Sequence, residues 1–388
     1  MFTRATFSFL GLAAAAAVLL AACNPGAIAV NQGWSGPTVH NGVLYVGSRA
    51  GKVLAIPVAE LSEAVPLDLG ARDVREKRAR WQFPIAEDKS SAPLGAIYSS
   101  PMVVGDTVLV SMNRVERRKL RPKEGDIYAL DPQSGTERWF ARTDGGIFAS
   151  VAADGGRVYT GDEKGYVYAI DAAEGGILWK TKAADKRFWS APAVADGSVY
   201  IGSMDKRLYA LDAGTGAVRW SFRADGAIAS KPLVVGDMVY FGAFDRKFYA
   251  LNRKKCADAP SACEPAWVLD GDGWFWNDAV ASPDEAVVYV GSLGDSFYAL
   301  SADKGDVRWR FPTESGEGIV VRSAPVVVGD RVYVVERSGR VLALDRKTGR
   351  ETASSRILNA KALASPAWAE GFLYVHDMGE KLHKIPAR

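Results

Sequence analysis

The sequence predicts an all-β fold, an eight-bladed β-propeller of four-stranded antiparallel blades whose ring is closed by an N-terminal strand. Three observations predict it. One residue pattern recurs along nearly the whole chain. Each copy consists of short β-type runs bounded by turn residues, with no convincing helical periodicity. The last copy lacks one strand, while a spare β-type segment stands near the N-terminus.

The N-terminal segment is set apart from the fold. Arg4 supplies a positive charge, Phe7 to Leu20 is an apolar stretch rich in Ala and Leu, and Leu20-Ala21-Ala22-Cys23 follows directly. The apolar stretch is short for a membrane span. Small residues before a cysteine resemble the lipobox of exported lipoproteins. Residues 1–22 are therefore expected to be a lipoprotein signal peptide, and residues 23–388 a single propeller domain lipidated at Cys23. Diacylation contributes roughly 0.8 kcal/mol per buried CH₂, enough for firm anchoring. An ordinary secretory signal with a chance cysteine is the alternative. The lipoprotein reading implies an exported protein held to the cell membrane or outer membrane, facing the periplasm or the exterior.

The cleanest copy of the repeat runs Ser190-Ala191-Pro192, Val199-Tyr200-Ile201-Gly202, Leu208-Tyr209-Ala210-Leu211-Asp212, Thr215-Gly216 and Trp220. Its central alanine sets the register. It recurs at Ala55, Ala129, Ala169, Ala210, Ala250, Ala299 and Ala343, with Lys384 in the eighth place. The spacing is 40 to 49 residues except for a first gap of 74. Periods of that length in β-rich sequence mean propeller blades. A lone blade buries neither face fully, so blades must stack, and closing the ring removes exposed edges.

The eighth copy runs Ser365-Pro366, Leu373-Tyr374-Val375 and Leu382 to Ile385, then the chain ends without an outer strand. Ala27-Ile28-Ala29-Val30 has no blade of its own and is expected to complete the last one.

The net charge of +3 is near balance, and no basic run is interleaved with aromatics, so charge gives no support to nucleic acid as a partner. Of three cysteines, Cys256 and Cys263 stand in one loop with six residues between them, flanked by Pro260 and Pro265. Outside the cytoplasm such a pair is expected to form a local disulfide. A metal site would need two further ligands, and none of His40, His376 and His383 is near that loop. No metal and no cofactor are expected.

Asp131-x-x-Ser134-Gly135-x-x-x-Trp139, Asp171 to Trp179, Asp212-x-x-Thr215-Gly216-x-x-x-Trp220 and Ser301 to Trp309 share one spacing. This resembles the tryptophan-docking motif of the pyrroloquinoline-quinone (PQQ) repeat propellers. The resemblance makes Trp139, Trp179, Trp220, Trp267 and Trp309 structural docking residues, packed between adjacent blades with the indole N–H on a backbone partner. The chain departs from the pattern at Asn252 to Trp267, which carries the cysteine insertion, at Ala353 in place of the seventh Trp, and at Trp81, separated from its blade by Ala59 to Arg80.

Catalytic quinoproteins of this class hold the quinone against a disulfide of adjacent cysteines, with calcium and an aspartate base. This chain has no adjacent cysteine pair, no Cys-x-x-Cys-His haem motif and no Gly-x-Ser-x-Gly elbow. No catalytic residues are assigned. In its lipobox-like start, length and eight repeats, the chain is similar to the propeller-form outer-membrane assembly lipoproteins, the BamB type. That resemblance implies a non-catalytic, membrane-anchored scaffold binding other envelope proteins, including the subunit that folds outer-membrane barrels. The alternative is a propeller binding PQQ or another small ligand, as a degenerate quinoprotein or a sensor.

The segments leading into each Ser/Ala-Pro ring one mouth of a propeller channel. They are dense in aromatics. Tyr98, Phe148, Phe188, Trp189, Trp274, Phe275, Trp276 and Arg322 are the candidate partner or ligand face, with Lys231, Asp278 and Lys361 as polar handles nearby. Clustered exposed aromatics mark interaction surfaces, although such side chains also plug channels as core. The basic stretch Arg114 to Lys123 reads either as a solvated hairpin or as an electrostatic contact to an acidic partner or anionic lipid.

Overall fold

The computed structural model describes residues 35–84, 97–115, 122–312, 318–358 and 360–387. They form eight four-stranded antiparallel sheets. Blade 4 illustrates the plan: Ala193–Ala195 innermost, then Ser198–Gly202, Arg207–Asp212 and, outermost, Val218–Arg223. The innermost strands surround the axis. Thr38–His40 of blade 1 lies against Met102–Val104 of blade 2 on one side and Ala367–Ala369 of blade 8 on the other.

The repeated alanine marks a fixed register. Ala129, Ala169, Ala210, Ala250 and Ala299 stand opposite Trp139, Trp179, Trp220, Trp267 and Trp309 on the outer strand, and Ala55 stands opposite Trp81. A methyl-sized side chain opposite an indole leaves that ring room to swing toward the next blade. In blade 7 the pair is Ala343 and Ala353. The middle strands are buried on both faces, as in Leu208-Tyr209-Ala210-Leu211, and the apolar clusters straddle blade boundaries. One such cluster joins Tyr159, Val167 and Ala169 of blade 3 to Val199, Ile201 and Leu211 of blade 4. No blade has a core of its own, so stacking supplies the burial, at roughly 25 cal/mol per Å² of apolar surface.

The indoles latch blades together. Trp139 donates to the carbonyl of Ala172 at 3.0 Å, Trp179 to Ala213 at 3.0 Å, Trp267 to Ala302 at 3.1 Å and Trp309 to Arg346 at 2.9 Å, each in a turn of the next blade. Trp81 does the same to Pro132 at 2.9 Å, despite the insertion before it. Trp220 differs from the expectation: among the described residues its indole N–H has no hydrogen-bond partner. Blade 5 lacks the usual turn there. In its place stand the helix Arg253–Asp258 and the 3₁₀ turn Pro260–Ala262. The sulfurs of Cys256 and Cys263 are joined across this insertion, with Cα atoms 4.4 Å apart, and both cysteines pack in the cluster that contains Trp220. A disulfide stands where the other blades place a turn carbonyl.

Ring closure also differs from the expectation. The strand beside Lys381–Pro386 of blade 8 is Leu67–Asp68, from the long gap after the third strand of blade 1. Ala27–Val30 and Cys23 lie outside the described residues. The insertion is long enough to cross from blade 1 to blade 8 and return. Burial of Leu67, Leu69 and Val74 with Tyr374 and Leu382 drives it there. Asp68 accepts an ion pair from Lys381 at 2.5 Å, and Leu69 N–H donates to the Glu380 carbonyl at 2.8 Å.

A candidate binding site at the channel mouth

The segment entering each inner strand alternates strictly between core and channel, as an extended chain must. Ile97, Ile147, Phe188, Ile228, Phe275 and Val321 turn outward into the blades and are at most 2% exposed. Their neighbours Tyr98, Phe148, Trp189, Ala229, Trp276 and Arg322 turn inward and line the mouth, joined by Leu363. Phe188 and Phe275 are therefore corrected from mouth to core. Phe188 packs with Tyr159, Ile201 and Tyr209, and Phe275 packs with Tyr240, Phe248 and Tyr298. The reason is close packing over glycine: the Phe188 and Phe275 side chains sit where a Cβ on Gly161 or Gly242 would be 2.7 Å and 2.2 Å away.

The inward rings form a continuous arc. Tyr98 lies 5.4 Å from Phe148, Phe148 6.3 Å from Trp189, and Trp189 5.9 Å from Trp276. Phe244 stacks between Trp276 at 5.0 Å and Trp274 at 4.9 Å, extending the arc to the rim. Arg322 sits over Trp276 at 4.4 Å, and Arg187 over Trp189 at 5.1 Å. Each such cation–π contact is worth about 0.5–1 kcal/mol when exposed and more when desolvated. The arc borders a cavity of about 120 Å³.

Phe244 and Arg187 were not singled out from the sequence. Phe244 belongs to a turn between the second and third strands of blade 5, outside the segments that announce the mouth. Arg187 was legible only through its spacing, two residues before Trp189.

Asp278 has a structural place. In four of the blades the residue at this step of the repeat accepts a hydrogen bond from the equivalent N–H of the preceding blade. Ser100 accepts from Gly36 at 3.1 Å, Ser150 from Ser100 at 3.0 Å, Ser365 from Ala324 at 2.9 Å and Asp278 from Lys231 at 2.7 Å. Asp278 thus stitches blade 6 to blade 5. Burial pushes its carboxyl above the ordinary range, opposed by the Lys231 N–H and the Lys231 charge. Burial likewise pushes the Tyr98 hydroxyl up to about 12, so it stays a neutral phenol at any physiological pH.

Among the described residues two buried polar atoms near the mouth have no hydrogen-bond partner, the Trp189 Nε1 donor and the Asn277 Oδ1 acceptor, the latter on a side chain that donates to the Ser323 carbonyl at 3.2 Å. Unpaired buried groups of this kind cost roughly 1–3 kcal/mol each. Among the described residues no group of three or more His, Cys, Asp or Glu side chains could hold a metal ion. Likewise, no helix among them is long and apolar enough to cross a membrane. Residues 116–121 of the basic hairpin lie outside the described residues.

Comparisons with known proteins agree on the fold. A sequence-family model described as "Outer membrane protein assembly factor BamB" matches residues 123–213, 187–259 and 261–388. The chain is 31% identical over 304 residues to the protein of that name from Salmonella typhimurium, covering 75% of each. With the Escherichia coli protein the identity is 31% over 282 residues, 68% of this chain and 70% of that one. Among solved structures, BamB from Moraxella catarrhalis superposes with a TM-score of 0.67 at 18% identity, covering 90% of this chain and 92% of that one. The computationally designed protein Ika8 gives a TM-score of 0.71 at 12% identity, covering 92% and 96%. The designed protein makes the point that the architecture by itself carries no function.

Proposed function

The chain belongs to the family of the outer membrane protein assembly factor BamB, and from that premise we propose that it is a non-catalytic propeller scaffold in the assembly of outer-membrane β-barrel proteins. Its curated relatives are named as assembly factors, and the match spans most of the chain. The signal peptide of residues 1–22 is removed, and Cys23 carries the lipid that holds the propeller to the outer membrane on its periplasmic side. The lipobox-like run Leu20 to Cys23 supports this part of the reading.

The aromatic mouth docks another envelope protein, the barrel-assembly subunit. The observation that carries this is the arc from Tyr98 to Trp276, with Arg187 and Arg322 over its indoles. Aromatic and arginine side chains at the centre of a concave patch are the composition of binding hot spots.

The test is a mild crosslink in native membranes, followed by recovery of the lipoprotein and identification of what is attached. Recovery of a barrel-assembly subunit, lost on Trp276→Ala, supports both the scaffold and its surface. If no such subunit is recovered and the purified propeller instead binds PQQ with calcium, the ligand-binding reading replaces it.

A further inference from the structure

A second cavity, of about 580 Å³, lies on the rim of the disc, along the outermost strand of blade 4, Val218–Arg223. This volume is within the range of ligand clefts. Its lining is unusual in including every residue of that strand. Alternate side chains of a strand point to opposite faces of the sheet. A cavity touching all of them must run along the strand's free edge, where unpaired backbone N–H and C=O groups face outward.

The two flanks of this edge differ in chemistry. On the side toward blade 5 are Trp220 and Phe222, which pack with Tyr249, Leu251 and the disulfide. Pro260 and Cys263 of the disulfide-closed insertion raise a wall there, turning a flat edge into a groove. On the other side are Arg207 and Arg223, directly opposite each other across the two strands. The Arg207 guanidinium donates to Ser221 Oγ at 3.0 Å, and the Arg207 backbone N–H donates to Asp205 Oδ1 at 3.1 Å. Among the described residues neither guanidinium forms an ion pair with a carboxylate. Like charges facing each other in a sheet are destabilising. The equivalent pair in blade 5 is Lys247 and Asp270, of opposite charge. An anionic group in the groove would turn the repulsion in blade 4 into attraction.

We propose that this edge is a docking site for an extended segment of another protein in which apolar and acidic residues alternate, added to blade 4 as a fifth strand. Main-chain hydrogen bonds to Val218–Arg223 supply register-independent affinity. The apolar side chains of the segment fall on the Trp220, Phe222 and Pro260 flank. Its carboxylates fall on the flank of Arg207 and Arg223. The site shares no residue with the aromatic mouth, so it stands independently of the function proposed above.

The experiment titrates the full-length protein with a fluorescent peptide of roughly eight residues, a strand's length, in which Val and Glu alternate. A peptide of the same composition with Val and Glu in two blocks, and one with Lys for Glu, are compared. The alternating acidic peptide is expected to bind, to protect amides of residues 218–223 from hydrogen exchange, and to lose at least about fivefold in affinity on Arg223→Glu, the scale of a close charge pair. Arg223 is exposed, so this variant keeps its fold. Trp276→Ala is expected to leave peptide binding unchanged. Equal binding of the block peptide, an unaffected Arg223→Glu variant, or protection confined to the mouth would each overturn the proposal.

Discussion

The indole of Trp179 covers Gly216 so closely that a Cβ on the glycine would lie 2.6 Å from Trp179 Cε3. The two residues belong to neighbouring blades, and the same indole donates to the Ala213 carbonyl of that turn. Gly216 also holds φ +76°, a conformation that costs an L-residue energy. Gly216→Ala is thus expected to destabilise the propeller by about 2–3 kcal/mol, from overpacking and backbone strain together. Urea denaturation would measure it, and a loss below about 0.5 kcal/mol, the level of an ordinary surface change, would show that the contact is not tight.

The alternation at the mouth separates residues that are adjacent in sequence. Phe275→Ala removes a fully buried ring and is expected to cost about 3–5 kcal/mol of stability. Trp276→Ala is expected to leave the melting transition nearly in place while weakening capture of the assembly partner. If both variants melted early, Trp276 would belong to the core and the docking surface would have to be sought elsewhere.

The Cys256–Cys263 bond closes a small loop, so its removal as Cys256→Ser is expected to cost about 2 kcal/mol by chain entropy. Because the cysteines pack with Trp220, reduction should also shift the emission of that indole. In a Trp220→Phe background the reduction-linked fluorescence change should disappear. Its persistence there would assign the signal to a different tryptophan.

The fold was legible because the repeat repeats its physics. One turn per blade, with an alanine opposite an indole in most of them, fixes the register, and Ala210 opposite Trp220 is the pattern of six of the eight copies. Ring closure was not legible in the same way. Leu67–Asp68 is only two residues of β-type sequence inside a charged insertion, and it becomes a strand because Leu67 and Leu69 are buried beside Leu382. At the mouth, the segments were identifiable but their inward face was not drawn from them. A period of two assigns Phe188 to the core and Trp189 to the channel, yet composition alone groups both as exposed aromatics. Phe244 was invisible because its position is set by stacking on two tryptophans that only the tertiary fold brings to it.

The closing seam carries a pH dependence that follows from His376. This side chain is 4% exposed, and its Nδ1 lies 2.9 Å from the Ser35 carbonyl, so that nitrogen holds the proton and donates. Among the described residues its Nε2 has no hydrogen-bond partner; Glu380 Oε1 is 3.9 Å away and already accepts from Arg49 N–H. Burial dominates and pushes the imidazole below its ordinary 6.5, with His383 acting the same way and Ser35, Glu380 and Asp377 opposing. A depressed histidine pKa means that, below about 6.5, the unfolded chain binds a proton that the folded chain does not. Stability therefore falls as the pH drops through 6.5 and keeps falling until the folded imidazole itself titrates. Asp377 adds a separate and more acidic window. Burial raises its carboxyl, but the bonds from His383 and from the Lys381 and Gly379 N–H groups outweigh this and hold it below 3.8, so its contribution is lost only in stronger acid. His376→Asn keeps a donor for Ser35 and removes the titration. Urea midpoints measured from pH 7.5 to pH 5, roughly a unit or more either side of the free imidazole value, should decline for the parent and stay level for this variant. Equal slopes in the two proteins would show that another group governs the seam.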